Sequence, residues 1–159
     1  MITADIHKKP TTTMILKPYK PSDKHPWNFQ RVWMLHRRAG FGATWEEFER
    51  DLADGPEKSV SRFVNGSNRT NGLPENFHEM REILGDSAVA SQRPERLTAW
   101  WVYQMYFSPD PLKERLSLMW HNHFATSNAK VKNLGTMREQ NEIFRQYGRG
   151  IPDLARFHG

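Results

Sequence analysis

Residues 93–124 read RPERLTAWWVYQMYFSPDPLKERLSLMWHNHF, and this stretch decides the fold. In its first half Leu97, Trp100, Trp101, Gln104 and Met105 recur at the three- and four-residue intervals that gather side chains on one face of a helix. Ser108-Pro109 stops that run. Asp110-Pro111 restarts it, because an aspartate accepts the unpaired amides of a first helical turn and a proline there has no amide to satisfy. Leu112, Leu116, Met119, Trp120 and His123 then fall on one stripe of a second helix. Two helices joined by so tight a turn are expected to pack as an antiparallel hairpin.

Punctuation on either side of the hairpin is also helical. From Pro26 to Ala39 the apolar residues Trp27, Val32, Trp33 and Leu35 are partly periodic, and Gly40 is read as the left-handed residue that closes a helix. Thr44-Trp45-Glu46-Glu47 is a capping box, opening a helix to about Ala53 that Gly55 closes. Pro56 begins a third short helix, ending before Gly66. The turn-rich stretch NGSNRTNGLPEN, residues 65–76, reads as a surface loop, and its Asn-Gly-Ser and Asn-Arg-Thr triplets as turn residues rather than glycan acceptors. A shorter helix follows around Phe77 to Leu84, and a last one runs from about Leu134 to Tyr147, ending at Gly148. No alternating strand, internal repeat or low-complexity tract is present. The expectation is an all-α, irregular domain of about six to eight short helices over residues 26–159. Residues 1–25 read as an extended basic leader, since Pro10, Pro18 and Pro21 forbid helix and there is little to bury.

The 159 residues are the length of one domain, and their 37% of apolar residues include six Trp, nine Phe and seven Met, large side chains for a core. There is no cysteine, which excludes disulfide frameworks, zinc ribbons and thiol nucleophiles, so a metal would need histidine and carboxylate ligands. Of the net charge of +5, the leader supplies +3 through five lysines against two aspartates. A basic excess in a tail rather than on a folded face argues against nucleic acid as the partner. No run is long and apolar enough to span a membrane, and the first residues lack the apolar core of a secretory signal, leaving the cytoplasm as the default compartment.

The chemistry-bearing candidates are His121 and His123, in WHNH. Each helical residue turns about 100°, so side chains two apart point to opposite sides and cannot share one metal ion, whereas on a strand they would share a face. On the helical reading His123 continues the buried stripe and His121 points elsewhere. A buried imidazole needs partners for its nitrogens, and Gln140 and Asn141 on the next helix are placed to supply them, giving a structural polar network of His123, Gln140 and Asn141. The alternative makes His121 or His123 a catalytic base or metal ligand. Other motifs carry less. AGFGATW has Trp45 where a dinucleotide fingerprint needs its third glycine, and no strand precedes it. No Walker loop, nucleophile elbow or His-Glu-x-x-His helix is present. Trp100 and Trp101 read as core, and Thr126 and Ser127 lack the orienting group a hydroxyl nucleophile needs. No cofactor is named by any motif.

LHRRAGFGAT at 35–44, WWVYQMYFSPDPLKERLSLMWHNHFATSNAKV at 100–131 and MREQNEIFRQYGRGIPDL at 137–154 together resemble the opening portion of the large bacterial family called domain of unknown function 1800. The resemblance spans about residues 19–154, and WHNHFATS is its most specific block. It implies a helical fold and supplies no reaction. Relatives are common in bacteria such as planctomycetes, and many look exported. Family chains continue into an Asn- and Glu-rich helical motif, so the resemblance implies a truncated chain whose core a missing C-terminal portion would complete. Two positions depart from the pattern: Met34 stands where the family has a histidine, and His36 where an apolar residue is usual. Three readings follow: a structural or partner-binding helical module or incomplete fragment; a metal-dependent, hydrolase-like enzyme using His121 or His123 with a site completed downstream; and weak binding of an anionic partner through the lysine tail with Lys130, Lys132 and Arg138.

Overall fold

The structure, a computed structural model, describes residues 19–66, 74–124 and 131–148. Most of the leader, the centre of the 65–76 loop, and Thr126, Ser127 and Lys130 lie outside the described residues. The chain is all-α, with six helices among the described residues: α1 Phe29–Ala39, α2 Trp45–Asn65, α3 Phe77–Ala90, α4 Pro94–Phe107, α5 Pro111–His123 and α6 Leu134–Tyr147. There is no strand among them, only an isolated bridge between Ser22 and His25. No described helix is long and apolar enough to cross a membrane.

Side-chain caps start four of the helices. Asn28 accepts from the Arg31 amide, Asp110 from Lys113 and Asn133 from Thr136, while Thr44 and Glu47 close the reciprocal capping box. The break expected at Gly55 is present inside α2, where Gly55 adopts φ 82° and ψ 174° ahead of Pro56. Such a break frees backbone carbonyls, and the Ser59 hydroxyl recaptures two of them, Gly55 O at 2.7 Å and Asp51 O at 3.1 Å. The Trp27 indole N–H also donates to Asp51 O, at 3.0 Å, fastening the chain before α1 to this point.

Two glycines act differently from the sequence reading. Gly40 is extended, at φ −148° and ψ −151°, not left-handed, and its value is proximity: a Cβ there would stand 3.2 Å from the Pro111 Cβ, where α1 meets the start of α5. Gly85 does not end α3, which continues to Ala90. It makes room for Trp100 and Arg138, whose Nε1 and Cζ atoms would lie 2.9 and 2.7 Å from a Cβ at this position.

α5 is the hub, packing against α1, α2, α4 and α6. Apolar contacts lie on either side of it, with Val32, Phe48 and Phe63 buried in α1 and α2, and Phe77, Ala88, Trp100 and Leu134 in α3, α4 and α6. The hub's own buried line is Pro111, Glu114 and Ser117, while the expected leucine stripe is half-buried and Met119 and His123 are exposed. What fixes the rotation of α5 is an ion pair, not the apolar stripe. Arg145 of α6 donates from Nε to both carboxylate oxygens of Glu114, and from Nη2 to Oε2, each at 2.9 Å, with both side chains almost wholly buried. Its Nη1 reaches the Asn141 carbonyl, and its guanidinium lies 5.3 Å from the Trp100 ring centroid. Beside it Arg81 joins Glu142 to Gln104, donating from Nε to the Gln104 Oε1 at 2.9 Å.

Removing one member of a buried pair leaves an uncompensated charge, whereas replacing both with apolar groups of like volume removes the desolvation cost as well. Glu114→Ala is expected to lower unfolding free energy by about 3–5 kcal/mol, and Glu114→Leu with Arg145→Met to recover most of it. Urea titration of the three proteins measures both.

Candidate functional site

α5 runs unbroken through the two histidines, closing with the Phe124 amide on the Trp120 carbonyl. Their rings therefore face different surroundings. His121 stands edge-on to Trp101 at 4.6 Å and to Phe144 at 6.4 Å, while His123 lies beside Trp120 at 6.1 Å and Phe124 at 4.9 Å. The sequence reading placed His123 inside, and the structure reverses it: His121 is half-buried and His123 exposed. The cause is the rotation set by Glu114, because a buried line through 114 and 117 arrives at 121 and not 123. The expected link from His123 to Asn141 is accordingly absent; the Asn141 carbonyl is taken by Arg145, one turn along the same helix. Gln140 is half-buried on α6.

Of these four residues the structure brings two to a common place. His121 and Asn141 line a cavity of about 130 Å³ with Trp101, Leu134 and Met137. Burial holds the His121 imidazole below its usual 6.5, favouring the neutral ring. Among the described residues no group of three or more histidine and carboxylate side chains is placed to hold a metal ion. Arg138, a proposed anion contact, is engaged internally by Glu82 at 2.6 Å and Asp86 at 2.5 Å, and lies over Trp100.

A third histidine, outside the candidate pair, takes part in a buried cluster. His36, four residues from Val32 on the inner face of α1, donates from Nε2 to Asp51 Oδ2 at 2.8 Å, both side chains buried. The same carboxylate receives Arg50 Nε at 3.0 Å and Arg62. Burial pushes the Asp51 carboxyl up, but the hydrogen bonds from His36 and Arg50 outweigh it and hold the group below its usual 3.8. One signal was present in the chain: Asp51 sits three residues after Phe48, which puts a carboxylate on the apolar face of α2.

The outer side of α1 carries a groove. Phe29, Trp33, Phe41 and Trp45 line a hollow of about 340 Å³, although Trp45 is 62% exposed and Phe29 55%. It adjoins a wider one of about 750 Å³ that shares Trp33 and Arg37 and adds Met34, Arg38 and Arg115. Arg37 lies 5.6 Å from the Trp33 ring centroid, and Arg115 lies 5.5 Å from that of Phe41. Among the described residues no carboxylate lines either hollow.

Among the buried and half-buried groups two lowered pKa values give stability a direction with pH. A group whose folded pKa is depressed binds fewer protons in the native state than in the unfolded one, so the stability it adds is present above the unfolded value and lost on acidification. Stability is expected to decline first as pH falls below 6.5, through His121, and again below 3.8, through Asp51. His121→Asn removes the first decline and leaves the second, which urea midpoints measured across pH resolve.

No curated protein and no solved structure matches the chain. A family model does, over residues 34–155, a span that holds all of α2 to α6, both histidine sites and most of the groove. The chain thus belongs to the family described as Protein of unknown function (DUF1800).

Proposed function

We propose that this chain is a helical binding module whose working surface is the groove on α1 and α2, and that its partner is an acidic peptide segment with an apolar anchor. The observation that carries this reading is the clustering of large exposed aromatic side chains with three arginines that make no ion pair among the described residues. Contiguous apolar surface rimmed by polar groups is characteristic of interaction sites. A guanidinium held over an aromatic face keeps its donors free for a carboxylate. A second copy of the chain would bring the same arginines against one another, so charge favours an acidic partner over self-association.

Selection from displayed random peptides tests this. Enriched sequences are expected to place Asp or Glu beside Leu, Phe or Trp, and Arg37→Glu with Arg115→Glu should weaken their binding at least about tenfold, about 1.4 kcal/mol. Enrichment without acidic residues, or unchanged binding by the double variant, overturns the reading. So does concentration-dependent self-association in sedimentation that the variant abolishes, since it gives the groove to a second copy.

The hydrolase-like reading draws support from one observation, the half-buried His121 ring at its cavity with Asn141, where burial holds its pKa below the usual range. His123 faces elsewhere, so a metal at His121 would take its other ligands from outside the described residues. Stoichiometric zinc, manganese or iron in purified protein, lost in His121→Ala with His123→Ala, is the result this reading requires.

A further inference from the structure

A different cavity, of about 340 Å³, opens where the starts of α3 and α5 meet the ends of α4 and α6, and it shares no lining residue with the groove. That is the lower end of the size of small-molecule sites. Its wall carries Arg81, Lys113 and Arg145 against Asp110, Glu114 and Glu142, a balanced set. Most of these charges already answer one another: Arg145 holds Glu114, Arg81 holds one oxygen of Glu142, and Asp110 caps α5.

Three groups on the wall are left over. Gln104 is fully buried, and its amide nitrogen has no hydrogen-bond partner among the described residues. Its orientation is fixed, because Oε1 must face the Arg81 Nε–H; flipping the amide would set donor against donor. The second is the Lys113 ammonium, which makes no ion pair among the described residues. Against these donors stands one acceptor, the buried Oε1 of Glu142, which has no hydrogen-bond partner among the described residues and lies 3.6 Å from Arg145 Nη1, beyond hydrogen-bond reach. Buried polar groups without partners are costly, and a native cavity that keeps a donor and an acceptor in this state is furnished for a molecule that supplies the complements.

We propose that the cavity binds a small α-amino or α-hydroxy acid, with its carboxylate on the Gln104 amide nitrogen and Lys113 and its adjacent N–H or O–H on Glu142. A carboxylate answers the two donors, and the neighbouring donor answers the single acceptor. Balanced wall charge also disfavours di- and triacids, which bring more negative charge than Lys113 neutralises.

Calorimetric titration of the whole chain tests the assignment, with the L-amino acids, L-lactate, citrate and ethanolamine as separate probes. One or more monocarboxylic members of the first two sets is expected to bind at millimolar concentration or below, with ethanolamine and citrate silent. Amino acids against lactate decides which donor Glu142 takes. Gln104→Glu keeps the acceptor that Arg81 needs and puts a carboxylate oxygen where the free amide stood, so it should weaken binding at least about tenfold in protein that still unfolds cooperatively in urea. Lys113→Gln, at a half-buried position, should weaken binding in the same direction without touching the fold. Absence of binding by every acid, equal binding by both variants, or equal binding of ethanolamine overturns the proposal.

Discussion

The buried ion pair between Glu114 and Arg145 is the constraint from which the arrangement of the other helices follows. α5 touches four neighbours, and its rotation decides what each of them meets. Turning Glu114 inward to α6 places Pro111 against Gly40 of α1, Ser117 in the interior and His121 against Trp101. The same arginine lies against Trp100, whose indole N–H is held at 2.8 Å by the Arg81 carbonyl of α3. One charge pair thus ties together α3, α4, α5 and α6. A pair of this kind adds little net stability compared with apolar residues of equal volume; its contribution is a single permitted rotation.

Much of this was legible in the chain. The capping residues Thr44, Asp110 and the glycine-proline break at 55–56 act locally, through hydrogen bonds within a turn or through missing amides, and these effects survive any tertiary context. α4 was legible for a different reason: its periodic residues are large, and Trp100 is buried as the spacing requires. α5 was misread because its apolar stripe and its buried line are different faces. Its rotation is set by Arg145, thirty-one residues away, and no periodicity within α5 reports a partner at that distance. The end of α3 failed similarly, since Gly85 ends a helix by its propensity but here serves an approach by Trp100 and Arg138 that only packing reveals.

The candidate sites divide along the same line. His121 and His123 stood out as residue types, and the helix separates them as their spacing requires, yet which one faces inward was not readable without Glu114. His36 with Asp51, and Gln104 with Arg81, join residues fifteen and twenty-three positions apart on different helices, or across the turn between two. Apart from the charge of Asp51 beside Phe48 on an apolar face, each looks ordinary where it stands in the sequence. The aromatic groove lay in plain view as Phe29, Trp33, Phe41 and Trp45, but periodicity alone reads such residues as core, and only the exposure of Trp45 and Phe29 separates them from it.

The polar character of the interior has a thermodynamic consequence. Asp51, Ser59, Gln104 and Ser117 are fully shielded from solvent, and Glu47, Glu114, Asn141 and Arg145 nearly so, while many large apolar side chains are already wet in the folded chain. Melting therefore uncovers an unusual proportion of polar surface, whose hydration lowers the heat capacity, and less new apolar surface, whose hydration raises it. The heat-capacity increment should fall below that of other domains of this length. With a small increment the stability curve flattens, and the protein holds a nearly constant margin over a broad span of temperature, cold included.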